Sequence, residues 1–315
     1  MVLGRIIGIF AIVFLGFGAN KIGWIPVDAS KYISKIVINI AAPCVVISTI
    51  SEQTFTLSSL KTLGIICLLY FGQYAFQFIV SLISVRILKV PRRERGVYTN
   101  FYLYTNNGFM GFPVTYAIFG APGMFYMVII NILMPFLMYT HGTFNLMRDV
   151  SSAAPGHVQG KVRIHPKEIF TPPVIASLLG LVIYFFRIPV HAQLKDLLDV
   201  IGGMMTPLSM IVIGLQLTES SPKRVMLNYK LIVMMLTRLV IMPACFIGVA
   251  LLFDFEPLLF GVLTLNIMLP CAALPVSLAE EYGADATRAA EGTFLSTLFS
   301  MATIPVAGIV LGSML

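Results

Sequence analysis

The chain has 315 residues, 58% of them hydrophobic and only 11% charged, with a mean hydropathy of +0.91 and a formal net charge of +7. Soluble domains run nearer half apolar and a quarter charged, so this composition leaves too little polar surface for a water-facing globule and implies a membrane-embedded protein. The basic balance, which in a soluble chain would raise nucleic acid as a partner, fits basic loops on one side of a bilayer instead.

Backbone groups in lipid must be satisfied internally, which leaves helical bundles and closed barrels. The apolar runs here are helix-length and lack period-two alternation, so they predict helices. Ten segments emerge: 3–20, 30–50, 60–88, 97–119, 122–146, 168–187, 195–217, 229–253, 257–281 and 286–312. The first, "MVLGRIIGIFAIVFLGFGAN", has a basic residue ahead of an apolar run and could pass for a signal peptide, but left uncut it supplies the first span of a repeat described below. Its Gly4 and Gly8 form a G-x-x-x-G spacing that predicts close helix packing. The second segment contains "AAPCVVISTIS" around Pro43, and the third carries Gln73 and Gln77.

The fourth segment holds "TNNGFMGFPV", Thr105 to Val114, with two asparagines, two glycines and a proline inside an apolar run. Glycine and asparagine tolerate unusual backbone angles, and proline removes a donor and breaks the i to i−4 ladder. The segment therefore reads as two half-helices meeting around Asn106, Asn107, Gly108 and Pro113, with the second beginning near Pro113. The fifth segment carries Asn131, Pro135, Phe136 and, at its end, His141. Residues 148–167 form a polar loop rich in Ser, Gly, Pro and base, separating a first half (1–147) from a second (168–315).

In that second half the seventh segment reads "MTPLSMIVIGLQ", the eighth encloses Arg238, and the ninth contains "NIMLPCAALPVS" with Asn266, Pro270 and Pro275. Pro43 and Pro207 are 164 residues apart, Pro113 and Pro275 162, and Pro135 and Pro305 170. Five spans per half would turn the second copy upside down, and inverted repeats with interrupted helices near mid-membrane characterise secondary transporters. Two half-helix amino ends brought together at membrane depth would offer amide donors and positive dipole ends to an anion. Four Lys and Arg residues (Arg5, Lys61, Arg187, Lys195) fall in loops on the side of the N-terminus and sixteen on the other, with Arg238 inside a span completing the 21. The positive-inside rule then places the richer side, including the 148–167 loop, in the cytoplasm and both termini outside, in a multi-pass protein of the cell membrane.

The motifs "TNNGFMGFP", "LPCAALPVSLAEEYGAD" and "STLFSMATIPVAGIVLG" resemble those of the auxin efflux carrier family, which includes the plant PIN-formed carriers and bacterial carriers for malate and malonate. The likeness covers essentially the whole chain. It implies a scaffold of helices 1, 2, 6 and 7, a transport unit of helices 3–5 and 8–10 with broken helices 4 and 9 crossing, and a homodimer formed through the scaffold. It also implies that Asn106 contacts a substrate carboxylate and that Asn131 and Phe136 line the pocket, with Ile47, Ser48, Leu274 and Val276 as walls beside Pro43, Pro270 and Pro275. For Asn131 an interhelical hydrogen bond is the competing reading. Two departures bear on coupling: helix 3 offers only Gln73 and Gln77 where plant members carry an acid, and Glu280 precedes Glu281 where they carry a lysine. Phe136 also lacks the hydroxyl of the plant residue, which makes auxin itself a poor fit.

Arg238, costly at about 2.5–3.5 kcal/mol inside a span, should face the bundle or a water path, near Glu280, Glu281 or Glu291, in either a coupling or a structural role. The cysteines Cys44, Cys67, Cys245 and Cys271 lie in apolar runs without C-x-x-C spacing and predict neither disulfide nor metal site. No H-E-x-x-H or G-x-S-x-G occurs, so neither an enzyme nor a cofactor is expected, while H+ or Na+ coupling stays open. The sequence thus predicts an alternating-access carrier for a small organic anion. An anion channel or a membrane ligand sensor of the same fold is the alternative, although a sensor would be expected to carry an output domain after Leu315.

Overall fold

A computed structural model describes residues 2–153, 169–218, 225–250 and 256–312. Most of the predicted 148–167 loop, from 154 on, lies outside the described residues, as do Lys223 and Arg224 of the charge count. The regular elements among the described residues are helical, and seven stretches are long and apolar enough to cross a membrane. The protein is accordingly a helical, multi-pass membrane protein.

The helices are α1 (Val2–Lys21), α2 (Ala29–Ser51) and α3 (Leu57–Ile87), followed by α4 (Arg95–Leu103). Next comes a continuous helical stretch, Asn107–Ser152. Its 46 residues would measure about 70 Å if straight, more than twice the hydrocarbon thickness. Gly120 breaks it: φ 67° and ψ −160° belong to a region only glycine enters at low cost. We therefore divide it into α5 (107–119) and α6 (121–152). That the chain reverses there follows from what α6 touches. Tyr104 donates to Leu137 O (3.1 Å), Asn100 to Gly142 O (3.0 Å), and Gly96 N to Asp149 Oδ1 (2.7 Å), so α6 runs antiparallel along α4.

The second half comprises α7 (Pro172–Phe185), α8 (Ala192–Gln216), α9 (Tyr229–Val249), α10 (Pro257–Met268), α11 (Leu274–Tyr282) and α12 (Ala286–Gly312). At 14 and 12 residues, α7 and α10 are shorter than the roughly 20 needed to span by themselves, so the predicted 168–187 and 257–281 segments are not single long helices.

Proline sets the fine structure of these helices. Three widened π turns, Val37–Ala41, Asn107–Gly111 and Thr237–Ile241, each end two residues ahead of a proline: Pro43, Pro113 and Pro243. A proline has no N–H to give and its ring crowds the carbonyl four residues back, so an i to i−5 turn just before it absorbs the mismatch without ending the helix. The expected start of the second half-helix near Pro113 is corrected by this device. The π turn lets helix begin at Asn107, with Asn106 as its N-cap.

A single apolar core runs through the bundle, and one closely packed group of helices lies within it. There α1 and α8 meet backbone to backbone: a Cβ on Gly16 would stand 2.6 Å from Ile211 O, and one on Gly214 would collide with Val13 O and Phe17 N. The same group includes α2, whose Val45 fits against Gly202 of α8 and whose Ile50 fits against Gly180 of α7. The predicted packing face of Gly4 and Gly8 is not used within the chain; nothing lies within 4 Å of a Cβ built on either. Small residues admit close approach only where a partner helix arrives, and here it arrives at Gly16. Gly16→Val should therefore lower the detergent unfolding temperature sharply, whereas Gly4→Val should leave it unchanged, as read by a thermal melt of the purified protein.

Candidate functional site

Both predicted interruptions exist, and they lie against each other. Residues 104–106 separate α4 from α5, and residues 269–273 separate α10 from α11. Thr105 and Cys271 form an antiparallel bridge flanked by two backbone hydrogen bonds, Asn106 N to Pro270 O (2.8 Å) and Ala272 N to Tyr104 O (3.0 Å). Pro270 explains the second break, because it disfavours helical geometry in the residue before it. Leu269 is accordingly extended, at φ −63°, ψ 149°. Gly111 permits the contact: a Cβ there would stand 2.8 Å from Leu269 Cδ1.

Side chains extend this pairing into a buried polar network. Asn107, fully buried, accepts at Oδ1 from Thr105 Oγ1 (2.8 Å) and from Asn266 Nδ2 (3.0 Å), while Asn266 Oδ1 accepts from Gln73 Nε2 (3.0 Å). Gln73 of α3 is thus held at the junction. Gln77, one turn on, is equally buried and its Nε2 has no partner. Asn107 Nδ2 is also unpartnered. Asn106 is half-buried and caps α5 by accepting Phe109 N at Oδ1 (3.1 Å). Because a backbone N–H needs an oxygen, that bond fixes the amide orientation and leaves Nδ2 as a donor. Two residues on, Gly108 has only open space where a Cβ would be.

Arg238 lies in the π turn of α9, fully buried, and donates from Nη1 to Leu269 O at 2.6 Å, while Nε and Nη2 have no partner. The expected carboxylate neighbours are not there. Glu280 and Glu281 are exposed, and Glu291 pairs with Arg288 at 2.6 Å. The physical reason lies in the break itself: a cation at the carboxyl end of α10 complements the negative pole of that half-helix. From α12, Ser296 Oγ accepts Cys271 N at 2.9 Å and so holds the second break.

Other predicted wall residues divide. Asn131 and Pro275 are buried, and Ile47, Leu274 and Val276 are partly buried against the core. Phe136 is 59% exposed and stands outside the buried core, and it lines neither the cavity between α2, α5 and α8 nor that between α3, α4 and α6. Ser48 and Pro113 line a cavity of about 340 Å³ between α2, α5 and α8, together with Glu52, Tyr116, Asp199 and Thr206. Ser48 donates to Asp199 Oδ1, and Lys195 bridges Glu52 (2.9 Å) and Asp199 (3.0 Å). Sequence reasoning missed Asp199 and the junction residue Thr105. The signal for Asp199 was an acid inside the apolar seventh segment, itself a functional flag in a span.

Two interrupted helices are thus paired in the interior, with unused donors around them. Residues 1–307 match the model of the membrane transport protein family, and the chain belongs to that family, the auxin efflux carrier family. It is 26% identical to an uncharacterized transporter of Methanothermobacter thermautotrophicus over 97% of both chains, and 24% identical to one of Methanocaldococcus jannaschii over 96% of both. A shorter match, 37% over 95 residues, covers 29% of this chain and 15% of Protein ECM3 of Saccharomyces cerevisiae.

Asn266→Ala would strip Gln73 Nε2 and Asn107 Oδ1 of their common partner at the junction. The variant should lose about 1–3 kcal/mol of stability. Glu280→Ala, at an exposed site, should lose nothing measurable. Paired chemical-denaturation curves in detergent would check both.

Proposed function

We propose that this transporter carries a small organic anion, a carboxylate, by alternating access, with the substrate held beside the two chain interruptions. The observation that carries the reading is the junction's surplus of donors. The Asn106 amide and Asn107 Nδ2 have hydrogens without acceptors, and α5 and α11 begin beside the junction with their positive ends. The negative pole of α10 is meanwhile occupied by Arg238 Nη1. An amide and helix-end donors suit a carboxylate that must also leave again, since they hold it without a direct ion pair.

In this reading the chain forms ten membrane segments, α4–α5 and α10–α11 each counting as one broken segment, in two inverted repeats of five. Pro113 and Pro275 near the starts of α5 and α11 support the pairing, as do Pro43 and Pro207 beside the π turn of α2 and the bend of α8 at Met204. The helices α1, α2, α7 and α8 act as a scaffold that also forms a homodimer, and the rest move against it. The cavity containing Ser48 and Pro113 is then the path from the outer face, with both termini outside the cell membrane. If the cargo is a monoanion moved alone, an inside-negative potential of 100 mV supplies about 2.3 kcal/mol for export, roughly a fiftyfold gradient. Proton coupling has a candidate in Asp199, which shares its charge with Ser48 and Lys195 beside that path.

Asn106→Ala should abolish saturable carboxylate flux in proteoliposomes while the purified protein stays folded, its melt lowered only by the lost cap of α5, about 0.5–2 kcal/mol. Undiminished flux would remove the junction from the transport path, and ohmic single-channel currents would replace the carrier with a channel.

A further inference from the structure

We propose a second, separate binding site in this protein, for a phosphate-bearing anion, in an arginine-lined cavity of about 550 Å³ between α3, α4 and α6. Arg86 comes from the end of α3, Arg92 from the short turn Arg92–Glu94, Arg95 from the start of α4 and Arg148 from the end of α6. Four guanidinium groups therefore share one cavity with a single carboxylate, Asp149.

That carboxylate is already committed. Its oxygens accept Gly96 N at 2.7 Å and Val97 N at 3.0 Å, capping the amino end of α4. The nearby Glu94 lies 3.7 Å from Arg93 and 3.5 Å from Arg288, neither of which lines the cavity. Arg95 donates Nε to Val90 O, which holds the arm in place while leaving the charge uncompensated. Among the described residues no ion pair engages Arg86, Arg92, Arg95 or Arg148.

Arg86, Arg92 and Arg148 are exposed and Arg95 is half-buried, so water screens their mutual repulsion while all four stay accessible to an anion with several oxygens. A planar guanidinium fork matches phosphate oxygens two at a time. The cavity is also partly apolar, with Phe78, Leu82 and Val85 of α3 on one wall, and the neighbouring Ile79, Ile83 and Ile87 are exposed on the same helix. A ligand that combines phosphate with an apolar part is accommodated there. Basic pockets between membrane helices take lipid head groups by this chemistry, and a soluble phosphorylated compound presents the same oxygens. The site is distinct from the transport junction: all of its lining belongs to α3, α4, α6 and the turn before α4, whereas the cavity containing Pro113 lies between α2, α5 and α8. A bound phosphate would tie three elements together at one end of the bundle and set how readily they shift as a unit.

The test uses the full chain in detergent. Unfolding temperature is measured with pyrophosphate in one arm and with phosphatidylglycerol added to the micelles in the other, for wild type, for Arg86→Gln/Arg148→Gln and for Arg93→Gln. The expected result is a saturable rise for wild type and Arg93→Gln. Binding by the double variant should be weaker by about tenfold or more, because each lost guanidinium removes a charged hydrogen-bond donor. A rise in the lipid arm alone assigns the site to a head group, and a rise with pyrophosphate assigns it to soluble phosphates. No rise in either arm, equal rises in wild type and double variant, or an equal loss in Arg93→Gln would overturn the proposal. Asn106→Ala should keep the rise, so the failure of this site and the failure of the transport site are read separately.

Discussion

A helix interrupted inside a membrane leaves backbone donors and acceptors that no lipid satisfies, at several kcal/mol each. This protein meets that constraint by interrupting two helices at one place. The break after α4 and the break after α10 exchange hydrogen bonds, Asn106 N to Pro270 O and Ala272 N to Tyr104 O, as a fragment of antiparallel ladder. Each break supplies partners that the other lacks. The pairing therefore fixes the relative position of four half-helices before any side chain contributes.

The side chains then sort the helix ends by sign. Carboxyl ends need donors: Tyr104 O receives Ala272 N, and Leu269 O receives the guanidinium of Arg238. Amino ends need acceptors, and here supply is short. Asn106 gives its oxygen to Phe109 N and keeps two hydrogens. Asn107 spends its oxygen on Thr105 and Asn266 and keeps its own. With the negative poles filled and the positive ones open, the junction is left electropositive without an exposed fixed charge. For the proposed anionic cargo that would be a weak, reversible attraction, which a carrier needs more than tight binding.

Much of this could be read from residue types. Two clusters of Asn, Gly and Pro in apolar runs announced both breaks, and the boundary between 119 and 122 matches the turn at Gly120. What escaped was whatever depends on a partner far away in sequence. Proline at 113 marks a helix start by its own chemistry, yet the π turn before it moves the start six residues earlier. Arg238 looked for a carboxylate, because a buried charge usually has one, and found the carbonyl end of a broken helix instead. Gly4 and Gly16 look alike in sequence. Only the arrival of α8 at Ile211 makes one a packing position and leaves the other bare.

The proposed motion would have to respect the distribution of strong contacts. Gln73 of α3, Arg238 of α9 and Ser296 of α12 each bond directly to the junction or to the residues that close it, and α6 is bonded along α4. Separating any of these would orphan buried polar groups. On the other side, α1 and α8 are in backbone contact through Gly16 and Gly214, so sliding there meets a steric wall. The interhelical hydrogen bonds described above stay within one group or the other. Between the groups lies the cavity of Ser48, Pro113, Tyr116 and Thr206, with glycines 202 and 203 on its α8 side. Under the proposed motion, that surface of small residues, hydroxyls and space would part without breaking any of the buried bonds named above, and Asn106 precedes Phe112 of its wall by six residues.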